Sequence, residues 1–115
     1  MAKNDKVVVL VTCGSAEDAG LIAAGLVEQR LAACVNVFES PVRSVYRWKE
    51  NVESATEHLL LIKTARRLLP RVQAEVQRLH SYDVPEFIAL PIVAGSVPYL
   101  KWMDECLSKA KRRRP

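Results

Sequence analysis

Val42-Arg43-Ser44-Val45-Tyr46-Arg47-Trp48-Lys49-Glu50-Asn51-Val52-Glu53-Ser54-Ala55-Thr56-Glu57-His58-Leu59-Leu60-Leu61-Ile62-Lys63-Thr64 is the stretch on which the fold turns. Val42, Ser44, Tyr46 and Trp48 share one strand parity, and Lys49, Glu50 and Asn51 supply a hairpin turn. The return strand, Val52 to Thr64, is polar on both faces in its first half (Glu53, Ser54, Thr56, Glu57). It is apolar on both in its second half (Leu59, Leu60, Leu61, Ile62). The second half therefore belongs inside a sheet and the first half projects from it. The outgoing arm begins at Ala33, and Glu39, Ser40 and Pro41 interrupt it, which marks a bulge or an edge.

An arm of about thirteen residues at roughly 3.3 Å each spans about 43 Å. A compact chain of this length has a radius of gyration of about 13 Å and a diameter of roughly 35 Å. The hairpin overshoots its own domain, and its tip carries Tyr46 and Trp48, which a monomer would leave in water. An isolated ribbon is marginal and aromatics anchor interfaces, so the ribbon is expected to pack on a neighbouring copy. A ribbon bent over its own sheet is the competing reading.

Outward from the hairpin, the valine-rich run from Lys6 to Thr12 reads as a strand buried on both faces. Ser15 is an N-cap for a helix from Ala16 to about Arg30, with Glu17 and Asp18 in its first turn and Ala19, Ile22, Ala23, Leu26 and Arg30 at helical spacing. After the hairpin, Leu69, Val72, Val76 and Leu79 stripe a helix over about Leu68 to His80, with Pro70 in its first turn. Phe87 to Val93 reads as an irregular or edge strand because of Pro91, and a last helix runs from Ser96 to about Ala110. Strand, helix, strand, strand, helix, strand is the split βαβ arrangement, an α+β class, here with an extra C-terminal helix.

The 115 residues fit one domain, 1–115. Half are hydrophobic and four are glycine, which excludes a disordered or collagen-like chain. Cys13, Cys34 and Cys106 form no C-x-x-C pair, so a disulfide framework or zinc ribbon is not expected and a reducing, cytoplasmic setting is. The longest apolar runs fall far short of the ~20 residues of a membrane helix. The net charge of +4 belongs to residues 109–115, which carry five of the seventeen cations, so the remainder is close to balanced. That tail reads as a frayed, solvated end rather than a specific nucleic-acid contact. No phosphate loop, G-x-S-x-G elbow or pair of helical histidines is present, so no enzymatic reaction is expected.

Three stretches together resemble the CutA family, the divalent-cation tolerance proteins. They are Gln29-Arg30-Leu31-Ala32-Ala33-Cys34-Val35-Asn36-Val37; Tyr46-Arg47-Trp48 with Leu61-Ile62-Lys63-Thr64; and His80-Ser81-Tyr82-Asp83-Val84-Pro85-Glu86 with Leu90-Pro91-Ile92 and Tyr99-Leu100-Lys101-Trp102. The resemblance spans nearly the whole chain. It implies a ferredoxin-like subunit in a homotrimer with interlocked hairpin arms, a cytosolic role in tolerance to copper and other divalent metals, and no established reaction. The chain departs from the family's usual residues at Glu50, where the family has glycine in the turn, and at Ser81, where it has proline. Asn51 is expected to take the left-handed turn position in glycine's place.

The one polar cluster of ligand-grade groups close in sequence is His80, Tyr82, Asp83 and Glu86. Imidazole with carboxylate suits copper or another transition metal, and a thiolate would favour Cu(I). The candidate metal site is therefore His80 and Glu86 with Cys13 as a third ligand, at three equivalent subunit boundaries. A helix C-terminal histidine bonded to backbone, and a Glu86 in an inter-subunit hydrogen bond, are the structural alternatives. Cys34 reads as a small core residue and Cys106 as surface or packing. The same three groups also have the composition of a thiol triad, a lesser reading. Interface anchors are expected at Tyr46, Trp48, Tyr82 and Trp102. A different class of function, a trimeric sensor resembling the nitrogen-regulatory signalling proteins, would place an anionic metabolite at inter-subunit clefts beside Arg43, Arg47 or Lys63.

Overall fold

Val7, Val8, Val9, Leu10 and Val11 form the centre of β1 (Lys6–Cys13), a valine-rich run that lies in mid-sheet. Val7, Val9, Val11 and Cys13 are almost fully buried. The computed structural model describes residues 4–108. In it β1 is followed by α1 (Ala16–Glu28), β2 (Cys34–Val37), β3 (Val42–Trp48), β4 (Asn51–Ala65), a single 3-10 turn (Arg66–Leu68), α2 (Leu69–Leu79), β5 (Ile88–Pro91) and α3 (Val97–Leu107). The sheet order is β2-β4-β1-β5, with β3 on the outer half of β4 and every pairing antiparallel. The fold is ferredoxin-like, an antiparallel α+β sheet with three helices.

β4 divides as its sequence does. From His58 to Ala65 it pairs with β1, from Cys13↔His58 to Lys6↔Ala65, and there Leu60, Ile62 and Thr64 are buried. From Asn51 to Glu57 it pairs only with β3, and most of that ribbon is exposed. The predicted interruption of the outgoing arm falls at residues 38–41, between β2 and β3. Lys49 and Glu50 both take positive φ, 46° and 76°, which is the two-residue turn whose twist matches a hairpin. The expectation for Asn51 is thus corrected, because it already pairs with Trp48 and the left-handed positions precede it.

α1 begins as read, with Ser15 Oγ accepting from the Asp18 N–H at 3.1 Å. It ends earlier than Arg30. Arg30 sits at φ 60°, its N–H bonds Val27 O at 3.0 Å, and the Leu31 N–H bonds Leu26 O at 2.9 Å. That pair of bonds is the left-handed stop which removes Arg30 from the core stripe. Ala19, Ile22 and Leu26 of α1 and Val72 and Val76 of α2 complete the core with the sheet. α3 starts on Ser96 and closes the remaining side with Met103 and Leu107. The expected extension to Ala110 and the basic tail at 109–115 lie outside the described residues. Cys34 is only half-buried, because β2 is an edge strand, and this corrects its reading as a core residue.

Lys6 ties the start of β1 to α3. Its Nζ donates to Asp104 at 2.6 Å and to Asp5 at 2.8 Å while its side chain is nearly inaccessible. Arg67 adds contacts to Asp5 and to Leu107 O. No helix among the described residues is long and apolar enough to cross a membrane. The radius of gyration is 14.9 Å and the longest axis 49 Å, above the roughly 13 Å of a compact chain, as a projecting ribbon requires.

Candidate functional site

Where β1 ends, the ribbon, from Glu57 at its base to Trp48 beside its turn, and the segment after α2 meet around a cavity of about 620 Å³. Thr12 comes from β1, Ser44, Val45, Tyr46 and Trp48 from β3, and Glu57 from β4. Tyr82, Asp83, Val84 and Glu86 come from the segment between α2 and β5. The volume lies in the range of small-molecule sites. Among the described residues three aromatic rings and three carboxylates line it, and none of the lining residues is Lys, Arg or His.

The segment that supplies Tyr82 is held by His80. The His80 N–H continues α2 by bonding Val76 O at 2.9 Å, and the ring is buried. Nε2 lies 2.7 Å from Thr12 O, and the Tyr82 N–H donates to Nδ1 at 3.1 Å. A carbonyl only accepts, so Nε2 carries the hydrogen and Nδ1 the lone pair. Both nitrogens are thereby engaged. The His80 and Tyr82 rings lie 4.7 Å apart, and the Tyr82 hydroxyl donates to Glu57 Oε2 at 3.0 Å. Gly14 permits this, since a Cβ there would stand 2.9 Å from the Tyr82 hydroxyl oxygen. Burial, with help from the Glu57 hydrogen bond, pushes the Tyr82 phenol up to about 12.

Glu57 is 6% exposed, the most deeply buried of the cavity's carboxylates. It escaped the sequence reading because it stands in the polar half of β4. The one signal for it was its position as the last acidic residue before the apolar run. Cys13 lies at the β1 end and is fully buried, and burial raises its thiol to about 11, with Asp18 and Glu57 adding to the effect.

Among the described residues no three His, Cys, Asp or Glu side chains are placed to hold a metal ion together. The expected trio of His80, Glu86 and Cys13 is thus not gathered within one subunit. His80 is committed to backbone, and Cys13 is buried and protonated. Glu86 lines the cavity and is the trio's accessible member. The predicted anion-binding residues do not meet there either. Arg43 and Arg47 are exposed, Arg47 donates to Glu50 O at 3.2 Å, and Lys63 Nζ donates to Asn36 Oδ1 across to β2. Of the expected interface residues, Tyr46, Trp48 and Tyr82 stand at the cavity, all partly exposed. Trp102 lies on α3 beside Tyr99, ring centroids 5.4 Å apart and 41% exposed.

Residues 7–106 match the family described as CutA1 divalent ion tolerance protein. The chain belongs to that family. It is 48% identical over 98 residues to the divalent-cation tolerance protein CutA of Thermus thermophilus, covering 85% of this chain and 94% of that one. It is 44% identical over 95 residues to human protein CutA, covering 83% of this chain and 52% of the human one. The chain therefore spans about half the length of its human relative. Solved CutA1 structures superpose closely. The Thermus thermophilus protein has TM-score 0.82 at 47% identity, covering 84% of this chain and 93% of that chain. The Shewanella sp. SIB1 protein has TM-score 0.86 at 38% identity, covering 91% and 97%. One relative is described as chloroplastic, in Arabidopsis thaliana, and one solved structure as periplasmic, from Archaeoglobus fulgidus, so the CutA fold is not tied to one compartment.

Proposed function

We propose that this CutA-family chain assembles as a homotrimer in the cytoplasm and contributes to metal tolerance by holding copper or another transition-metal ion weakly at each subunit boundary, without catalysing a reaction. The observation that supports the reading best is the cavity beside the ribbon, whose carboxylates Glu57, Asp83 and Glu86 face no lining cation among the described residues. Glu86 is the ligand open to an arriving ion. His80 joins only by giving up the Tyr82 N–H, and Cys13 only by losing its proton against burial. A complete site therefore draws on donors beyond those of one subunit, which fits weak binding. The sensor reading, an anionic metabolite in the same crevice, meets a cavity of the opposite sign.

Calorimetric titration with copper tests the proposal. The parent is expected to saturate near one ion per chain, Glu86→Gln to lose most of the binding, and His80→Ala to lose less than Glu86→Gln. A parent that shows no saturable heat would overturn the metal reading. A thermal shift with organic acids or nucleotides, and none with copper, would install the sensor in its place.

A further inference from the structure

From Ala19 to Val27, α1 carries no polar side chain, although one side of the helix faces solvent. A helix apolar all round is ordinarily covered on every side. Ala19, Ile22 and Leu26 face the core, and the opposite stripe of Glu17, Gly20, Leu21, Ala24, Val27 and Glu28 is exposed, Leu21 at 55% and Val27 at 43%. That stripe runs i, i+3, i+4, i+7, i+10, i+11, the spacing of a seam between two helices. On the neighbouring α2 the exposed positions are mostly polar, with Gln73, Gln77 and Arg78 among them. Both helices pack on the sheet face that carries Val7, Val9 and Val11. Val8, Leu10, Ile88 and Leu90 belong to the other face, so the stripe of α1 stays open when the ribbon and β5 meet neighbouring copies.

The stripe has the form of a seat for a helix. No atom lies within 4 Å of where a Cβ on Gly20 would stand, and Ala24 follows one turn later, so a second backbone can approach closely. Past Val27 the stripe opens into a pocket of about 230 Å³ walled by Glu28, Ala32, Ala33 and Cys106, a socket for a side chain. Charge specifies the occupant. Glu17 and Glu28 close the two ends, Asp18 flanks the first, and α1 contains no base. Arg30, at the pocket, is held on Cys106 O at 3.3 Å. A second copy of the stripe is refused in either direction, because a parallel pair sets each glutamate against its own copy and an antiparallel pair sets Glu17 against Glu28 twice. An anionic lipid surface meets the same repulsion.

We propose that the outer stripe of α1 is a docking seam for an amphipathic helix of a partner protein, with small or apolar residues along its own seam and Lys or Arg about eleven residues apart at the seam's ends. The inference does not rest on metal binding. From Glu17 to Glu28 the seam rises about 16 Å, a small contact whose affinity belongs to the micromolar, transient class.

The probe is a fluorescein-labelled, end-blocked peptide of alanine, leucine and lysine, designed as an amphipathic helix with lysines eleven apart at the ends of its apolar face. It is titrated into the full chain with EDTA present, beside a scrambled peptide and one with glutamate for every lysine. The anisotropy of the lysine peptide is expected to saturate at micromolar protein, near one peptide per chain, with amide hydrogen exchange slowed in α1. Ala24→Lys, at an exposed helical position, is expected to weaken binding tenfold or more. Glu17→Gln combined with Glu28→Gln is expected to weaken it at low salt and to flatten its salt dependence. Thermal unfolding checks that both variants fold. A lysine peptide that binds no tighter than the scrambled one would overturn the seam, as would equal binding of the glutamate peptide or binding unchanged in a folded Ala24→Lys. If Ala24→Lys instead lowers the sedimenting mass of the assembly, a second copy occupies the stripe and the proposal is likewise refused.

Discussion

At residue scale, Glu50 occupies a backbone conformation that favours glycine. A side chain at φ 76° presses its Cβ toward neighbouring backbone, a cost of roughly 1 kcal/mol or more for an L-residue. Glu50→Gly is accordingly expected to raise stability by about 1 kcal/mol, less the entropy that glycine adds to the unfolded chain. The urea midpoint would shift upward at unchanged slope, and a midpoint that falls would show that the side chain contributes something else at the tip. Cys13 offers a second test. Its thiol is buried and raised to about 11, whereas Cys34 and Cys106 are half-buried. A thiol reagent at pH 8 should modify Cys34 and Cys106 well before Cys13 in the native protein, and all three at similar rates in denaturant. Rapid native modification of Cys13, mapped by peptide mass, would contradict its placement. Legibility ends at this scale for a physical reason. Glu57 and His80 are ordinary letters of a polar half-strand and a helix end. Their burial is decided by Tyr82 and Thr12, which reach them from segments distant in the chain.

At element scale, the strands and helices were legible because the periodicities that define them are local. The unbroken β1 run, the Ser15 and Ser96 caps and the Val72 and Val76 stripe all fall where their patterns place them. What was not legible was the contact between elements, and Lys6 is the clearest case. It lies at the strand's start, where a lysine reads as solvated, yet it is 3% exposed and bonded to Asp104 of α3. Burial alone would lower the Lys6 ammonium, but the Asp104 and Asp5 carboxylates outweigh it and hold the group above its ordinary 10.5. Burial likewise opposes ionisation of Asp5, and Lys6 and Arg67 outweigh it, so Asp5 lies below 3.8. The raised base stabilises the fold below pH 10.5 and loses that effect as pH climbs through its folded value. The lowered acid stabilises above 3.8 and loses it as pH falls through its own. Lys6→Met is therefore expected to cost roughly 2 kcal/mol near neutral pH, the scale of a lost charged hydrogen bond, with the gap to the parent closing below pH 3.8 and above 10.5. Urea melts across pH check this, and a gap independent of pH would assign the loss to packing.

At the scale of the whole molecule, the ribbon projects as its length requires, since the chain is 49 Å long with a radius of gyration above that of a compact body. The apolar surface that would answer a partner extends further than the aromatic tip suggested. All four residues of β5 are exposed, with Ile88 and Leu90 each at 48% and Val93 just beyond at 88%. β5 lies at the end of the sheet order, so one edge of its backbone is unpaired among the described residues. An apolar open edge invites pairing with another chain, and a closed ring of copies removes that hazard where a lone subunit does not. Sedimentation equilibrium at micromolar protein is therefore expected to give three times the 12.9 kDa chain mass. Leu90→Lys, which places charge on that edge without touching the core, should shift the assembly toward monomer and lower its thermal stability in a concentration-dependent way. A parent that sediments at 12.9 kDa would leave the ribbon without shelter and refute the assembly. A Leu90→Lys protein that stays trimeric would move the interface from β5 to the ribbon, where Trp48→Glu is the corresponding probe.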